Sequence, residues 1–593
     1  MPLVSRVSPT RRSPLVLAIA RLALPAAALA GALAGALALP PAAHASWPPD
    51  PLTNVPLCTT IFSSQIGSTV TDQRGGAIAV WYEDRGGNFD IFARRVDSSG
   101  TPRWTADGVR VCLPPAGGQQ VLPKAVSDGA GGVIVVWLDN RSGPNALYAQ
   151  HVDSSGVRKW GDPGVLLASS TSNQVTEFNL VSDGASGAAV AWATLVSGIS
   201  SDIYAQRLNA SGALQWGTNA KALCTINSDQ VHPTLVRKTS GTIVVAWEDQ
   251  RATFNTFVYG QAVNTAGTLL WTANGLLLAG SANNAINPML VATGPDDCLL
   301  FWDADSLGVG GIRGQRLGTA GAPLWAGSGL HMFPVGVSGL FGVISDQASG
   351  AFLVTSATDA TTHKNPLWLQ RVHNTGILAF PASGKRVSSI PSNQFQVAIA
   401  PDNAGGIMLT WFDDQRGLAS TVDIFAQRFP ASGGPLWYPG GVPVCRVANQ
   451  QGAGLAIAPS GGGAVIAWSD TRNSPSPDIY AQGVDALGQL GSGVDVEPLA
   501  SPAATALARP APNPAPHGST TISYTLSSPE NVALRVVDPS GRMIRVLEDG
   551  PRGAGMHSVT WDGRANGRQL PPGLYLVQLL TPSRSEIRRL VVL

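Results

Sequence analysis

The sequence predicts an all-β protein, a β-propeller of eight units with four-stranded blades, followed by a small β-sandwich. Three observations carry this. Tryptophan recurs in two registers at a spacing of about 55 residues, a repeat too long for a leucine-rich solenoid and too short for a row of sandwich domains. No stretch sustains a helical 3.6-residue period, whereas apolar β-branched runs between Gly/Asp turns recur throughout. A Pro/Ala-rich stretch at 498–516 then separates the repeats from a last segment of strand-like runs.

The chain opens with an export signature. Residues 1–45 hold Arg6, Arg11, Arg12 and Arg21, no acid, an Ala/Leu-rich run from Leu22 to Leu39, and Ala43-His44-Ala45. Charge, apolar core and small-residue cleavage site in that order predict a signal peptide cleaved after Ala45. The run is 18 residues long, and its Ala and Gly content argues against an uncleaved membrane anchor. Over the whole chain 39 Lys and Arg meet 38 Asp and Glu, so no electrostatic footprint for nucleic acid exists. Removing the leader leaves a mildly acidic mature protein. The five cysteines give no disulfide framework. Cys58, Cys112, Cys224 and Cys445 share one repeat position that elsewhere holds Ala168, Ala279 or Ser388, which marks a small buried slot.

The repeats fill 46–497. Of 16 tryptophans, 13 fall into two series. The first is Trp81, Trp137, Trp192, Trp247, Trp302, Trp411 and Trp468, with a degenerate copy near Thr355 and Ser356. The second is Trp104, Trp160, Trp216, Trp271, Trp325 and Trp437, with Phe380 in the degenerate unit. Each unit begins with a turn such as Asp128-Gly129-Ala130-Gly131-Gly132 and a run such as Val133 to Trp137, whose apolar continuity predicts a strand buried on both faces. A polar hairpin loop leads to a segment such as Asp202 to Leu208, whose alternation predicts a half-buried strand. A turn like Asp153-Ser154-Ser155-Gly156, the second Trp and a Gly-Val-x-apolar strand close the unit. Four short strands repeated eight times are the grammar of propeller blades. Val55-Pro56-Leu57-Cys58 matches the last strand of a unit and would complete the final blade, although Val494-Asp495-Val496 would fill the same place.

After the first-series Trp comes Trp-x-acid-x-Arg: Glu83 with Arg85, Asp139 with Arg141, Asp249 with Arg251, Asp470 with Arg472, and Asp413 with Arg416 one residue later. Asp90, Asp202, Asp423 and Asp478 open the following strand. The pattern predicts a scaffold element in which Arg bridges the two acids across the hairpin; the alternative is a ring of charge on one rim that binds a glycan or anion. A binding site on a pseudo-symmetric ring needs an exception to the symmetry. Unit three has Ala193-Thr194-Leu195-Val196, unit five Asp303-Ala304-Asp305-Ser306, and unit six Asp359 through His363 and Lys364. Asp303, Asp305, Asp359, His363 and Lys364 are therefore the candidate binding residues. With Asp296 and Asp297 nearby, Asp303 and Asp305 could offer oxygens to Ca²⁺, but the full Asp-x-Asp-x-Asp-Gly loop is absent, and a solvated acidic turn is the simpler reading. No cofactor is otherwise implied.

The last segment carries a resemblance. Pro512-Asn513-Pro514, Val536 to Arg545 with its Asp538-Pro539-Ser540-Gly541 turn, Gly555 to Gly563, Pro572-Gly573-Leu574-Tyr575 and the terminal Arg588 to Leu593 resemble the C-terminal sorting domain of type IX secretion cargo. They also resemble the related Ig-like domain of the flagellar hook-capping protein. The resemblance implies an Ig-like β-sandwich at 517–593, a type IX-like secretion apparatus as partner, and delivery to the cell surface or medium. It departs at the end, where such domains often carry Lys and this one has Arg588 and Arg589.

The function read from these features is that of a monomeric exported protein binding a glycan, polymer or protein ligand on the propeller. The rival is a sialidase-like glycan hydrolase or lyase. Against it, the Asp box Ser-x-Asp-x-Gly-x-x-Trp fails on spacing, since Asp97 lies three residues before Gly100 and seven before Trp104. The histidines are scattered (His151, His232, His331, His363, His373), and no His-Glu-x-x-His or Gly-x-Ser-x-Gly is present.

Overall fold

The computed structural model describes residues 47–491 and 505–593, apart from 114–116, 169–172, 253–254, 281–283, 295, 307–308, 326, 335–336, 338, 415–421, 448–450, 474, 511–512, 516–518, 527–529, 553–554, 566–567 and 583. The leader and Val494-Asp495-Val496 lie outside these residues. Among the described residues there is no helix, and eight four-stranded antiparallel sheets form the repeat region.

Blade 1 is Ser64–Thr71, Ala77–Asp84, Phe89–Val96 and Val109–Arg110, in that order from inner to outer edge. Blades 2 to 7 repeat it. Their inner strands are Gln120–Ser127, Gln174–Ser182, Gln230–Arg237, Asn284–Ala292, Leu340–Ser345 and Gln394–Pro401. Blade 8 takes three strands from the C-terminal side, Gln451–Ser460, Gly463–Asp470 and Asp478–Val484, and its fourth from Val55–Cys58, with Val55 opposite Ala481. Each inner strand packs against the inner strands of both neighbours, and Ser64–Thr71 against Gln451–Ser460, so the eight blades form one closed ring. The degenerate sixth unit, Ala351–Ser356 with Thr355 in place of Trp, occupies its turn of the ring like the others.

The core lies between blades. Eight apolar clusters each draw on two adjacent blades, such as Ile134, Val136, Trp160, Phe178, Val190 and Trp192 from blades 2 and 3. The second strands are buried on both faces, as in Val133–Asp139 and Ile243–Asp249, because each is sandwiched between two such clusters. The third strands are more buried than their alternation predicts. Ser200–Leu208 is inside at most positions because its polar residue Gln206, 0% exposed, is itself satisfied there. Its Nε2 donates to Gly217 O at 2.9 Å, and its Oε1 accepts from the Trp216 N–H at 3.0 Å. Gln150, Gln261, Gln370 and Gln427 repeat this clasp.

The C-terminal segment forms a second body with its own core of Leu507, Tyr524, Leu534, Val536, Trp561 and Val577 among others. One sheet pairs Ala506–Leu507, Thr520–Leu526 and Gly555–Trp561; the other pairs Met543–Arg552, Glu530–Val537, Gly573–Leu580 and Ser585–Val592. The sequence reading of 498–516 as spacer is corrected here. Leu507 and Ala515 are buried in this core, and the Ala515 N–H donates to Val591 O at 2.7 Å, so the sandwich begins about ten residues before 517. Proline-rich composition hid a short edge strand.

Candidate functional site

The Trp-x-acid-x-Arg pattern builds one cluster per blade. In blade 4 the Trp247 indole N–H and the Arg251 guanidinium both donate to Asp249 Oδ2, at 3.0 and 2.6 Å, and the guanidinium lies 3.7 Å over the Tyr259 ring. It also donates to Asn274 O at 2.8 Å and points to Cys224 Sγ, 3.4 Å away on the outer strand of blade 3. The cluster therefore joins two blades. Arg85 with Glu83, Arg141 with Asp139, and Arg472 with Asp470 do the same, over Phe92, Tyr148 and Tyr480 and toward Cys58, Cys112 and Cys445. Asp413 accepts from the Trp411 indole N–H at 2.8 Å and Ser392 Oγ at 3.0 Å; Arg416 lies outside the described residues.

The expected bridge to the second acid does not form. Arg folds back onto the acid two residues before it because the aromatic ring of the third strand gives its flat face a seat. Asp90 and Asp423 pair instead with Arg110 and Arg446, Asp478 with Asn473 at 3.1 Å, and Asp202 accepts from Tyr204 Oη at 3.3 Å. The cysteines are all free and buried. Burial pushes the Cys58, Cys112 and Cys445 thiols up to about 12, with the charge of Glu83 adding at Cys58.

The candidate binding residues divide between two places. In the blade 6 hairpin Asp359 pairs with Arg386 and accepts the Thr361 and Thr362 N–H groups, the latter at 2.8 Å, and those hydrogen bonds hold its carboxyl below the usual range. His363 is exposed, and Lys364 Nζ lies 3.5 Å from Asp414. Asp303 lies on the second strand of blade 5. Its carboxylate accepts from Asn287 Nδ2 at 3.0 Å and the Leu340 N–H at 3.1 Å. Asp305 pairs by backbone with Asn284, and Asp297 pairs with Arg316. Among the described residues no group of three or more His, Cys, Asp or Glu could hold a metal ion; the Asp305 side chain lies outside them.

Asp303 leads to residues that sequence reasoning missed. Each inner strand carries an irregularity at one level, between Val121 and Lys124, Val231 and Thr234, or Ile286 and Met289, for example. There Leu122, His232, Asn287 and Gln396 adopt left-handed backbones at φ 54, 53, 54 and 49°, as bulges demand. The bulges face a cavity of about 720 Å³ lined by the inner strands of blades 2 to 7, with Lys124, Glu177, His232, Glu248, Asn287 and Phe341 in its wall.

His232 is held between two carboxylates from different blades. Its N–H donates to Glu177 Oε1 at 2.5 Å, Nδ1 lies 3.1 Å from Glu248 Oε2, and Nε2 lies 3.8 Å from Glu177 Oε2. Glu248 Oε1 in turn accepts the Asn287 N–H at 2.7 Å. Burial pulls the imidazole pKa down, but the hydrogen bond and charge of Glu248, with Glu177 behind it, outweigh this and hold it above the ordinary value. Burial raises Asp303, and the charge of Glu248 adds to that. Lys124 Nζ donates to Phe178 O at 2.8 Å and Asn179 Oδ1 at 2.6 Å, and burial lowers its pKa. The wall thus offers an imidazole, carboxylates and amides beside the half-exposed Phe341. That mixture suits a polyhydroxylated ligand with apolar C–H faces. One signal was present in the sequence: the residue after the first-series Trp is Tyr82, Leu138, Ala193 or Phe412 in other units but acidic in units four and five, as Glu248 and Asp303.

The fold defines a closed eight-bladed β-propeller joined in sequence to an Ig-like domain. Residues 515–583 match the family model of the FlgD Ig-like domain. No curated protein matches the sequence significantly. Among solved structures the chain is similar to the α-L-arabinofuranosidase Arb93A of Fusarium graminearum, at 9% identity and TM-score 0.31 over 52% of this chain and 93% of that one. It is also similar to a PL25 ulvan lyase, at 10% identity and TM-score 0.36 over 74% and 96%. The propeller of the Trilobed protease of Pyrococcus furiosus is similar at 7% identity and TM-score 0.36 over 62% and 94%. At these TM-scores no function is carried over.

Proposed function

We propose that the protein is an exported propeller that recognises a glycan in its axial cavity and is addressed to the cell surface or medium by its C-terminal domain, through a type IX-like secretion apparatus. The observation that supports the first half is the Glu177–His232–Glu248 group with Asn287 in the wall of the cavity, where three blades contribute groups that the other blades lack. Hydroxyls find donors and acceptors there, and Phe341 offers an apolar face. The near balance of positive and negative charge leaves no electrostatic basis for nucleic acid as the ligand. The arabinofuranosidase and the ulvan lyase act on glycans by their names, but the reading rests on the cavity and not on them.

A second reading, cleavage of the bound glycan, is favoured by one feature: two carboxylates flank a histidine and hold its pKa above the ordinary imidazole value. One experiment separates the two. The mature protein is screened on a glycan array, and its hits are assayed for saturable binding and for new reducing or unsaturated ends. Binding without turnover, weakened by His232→Ala, is the expected result. Turnover abolished by Glu248→Gln establishes the second reading, and absence of any bound glycan overturns both.

A further inference from the structure

In blades 1, 2, 4 and 8 a guanidinium lies 3.7 to 4.2 Å over the aromatic ring of the third strand, and the neighbouring acid receives the Trp indole N–H. Blade 6 fills the place from elsewhere, with Arg386 over Trp368 at 5.4 Å. Among the described residues, blade 3 fills it with nothing. Thr194 stands where the acid would be and Val196 where the arginine would be, while Trp192 and Tyr204 keep their stacking at 6.3 Å between centroids.

A cavity of about 370 Å³ opens there, between the outer strand of blade 2, Val165–Ala168, and the Ala188–Val196 and Ser200–Leu208 hairpin of blade 3. Its volume falls in the ~300–1,000 Å³ range of small-molecule sites. Trp192 and Tyr204 line it, and so do Asn145, Asn173, Asn219 and Thr194. Trp192 is 1% exposed. Its indole N–H, whose counterpart in blades 1, 2, 4, 7 and 8 donates to a carboxylate, meets no acceptor among the described residues. All lining residues are uncharged.

We infer that the vacated arginine slot of blade 3 is a second ligand site, which takes one neutral pyranose residue. A ring hydroxyl accepts the Trp192 N–H, the C–H face of the sugar lies on Tyr204 where the guanidinium lies elsewhere, and the amides at the rim bind the remaining hydroxyls. A uronate is disfavoured because no arginine is present to offset its desolvation. The Asp202 carboxylate, which accepts from Tyr204 Oη at 3.3 Å, stands beside the slot and adds to the case against an anionic sugar. This inference does not depend on the axial cavity.

The test restores the repeat. In Thr194→Asp/Val196→Arg the slot receives the pair that occupies it in other blades, so the variant is expected to fold with an equal or higher Tm. The full mature chain is titrated calorimetrically with a panel of neutral methyl pyranosides, the same sugars as β-linked oligomers, and the matching uronates. With the axial cavity disabled by His232→Ala in every protein compared, saturable binding of at least one neutral sugar is expected, lost on adding the double substitution and weakened about tenfold on adding Tyr204→Leu. Binding of the oligomer but not the monomer identifies the ligand as part of a chain; equal binding identifies a free sugar. The inference is overturned if no neutral pyranoside binds the His232→Ala protein, if uronates bind it more tightly, or if adding the double substitution or Tyr204→Leu leaves its binding unchanged.

Discussion

Asp249 shows how one residue holds two blades. Its side chain is fully buried, and it satisfies the Trp247 indole, the Arg251 backbone N–H at 3.0 Å and the Arg251 guanidinium. Truncation leaves a buried indole donor and a cation without a counterion, so Asp249→Ala should cost about 3 kcal/mol, read as a lower unfolding midpoint. Arg251→Lys should lose much of the same stability, since an ammonium cannot reproduce the bidentate contact and the stacking. His232 behaves differently. Its folded pKa is raised by Glu248 and Glu177, so the stability it contributes is fully present below the ordinary imidazole value and is lost as pH rises through the folded value. NMR titration should place its pKa above about 6.5, and Glu248→Gln should lower it. An unmoved pKa in that variant would show that Glu248 is not its partner.

At the level of elements, the second-series tryptophans latch each blade to the next. Trp160 donates to Ala210 O at 2.9 Å, and its ring lies flat against Gly212, where a Cβ would come 2.8 Å from Cγ at a φ of +82°. The Asp/Asn-x-x-Gly turn therefore needs glycine for its backbone and again for the ring of the preceding blade. Trp104, Trp216, Trp271, Trp325 and Trp437 repeat the latch, and Phe380 keeps the stacking without the hydrogen bond. Trp47, outside both sequence series, supplies the eighth: it donates to Ser98 O at 2.9 Å and lies against Gly100. The N-terminal segment thus gives blade 8 its latch as well as its outer strand, with Pro48 O accepting from Gln482 at 2.7 Å. Trp47→Ala should lower the melting temperature by removing about 3–5 kcal/mol of closure, and limited proteolysis should then cut first within blade 8 or the Val55–Cys58 strand. A first cut in another blade would count against this closure.

At the level of the molecule, the ring buries its cores between its own blades, and the C-terminal domain has a core built only from residues 507–592. Neither needs the other to bury apolar surface. Removing 505–593, the cut the edge strand Ala506–Leu507 dictates, should leave a propeller whose melting temperature is little changed. If the domain is the address, the truncated propeller should stay in the periplasm of a host with a type IX apparatus. Normal surface delivery would defeat the sorting role while leaving the propeller reading intact.

Much of this architecture is local and periodic, and so was open to reading. The two tryptophan registers, the Asp-Gly turns and the β-branched runs sit at fixed offsets, and each offset maps to one place in a blade because strand alternation and turn chemistry act within a few residues. The charge pattern after Trp was legible too, down to the units that break it. Its geometry was not, because whether Arg85 turns to Glu83 or to Asp90 depends on the Phe92 ring beneath it. The buried glutamines were concealed for a related reason: a polar residue inside is recognisable only with its partners, and those of Gln206 lie ten and eleven residues on, across a turn. Ring closure, the Trp47 latch and the axial group of Glu177, His232 and Glu248 join residues of different blades. Closing the ring puts them side by side, and no spacing along the chain encodes that contact.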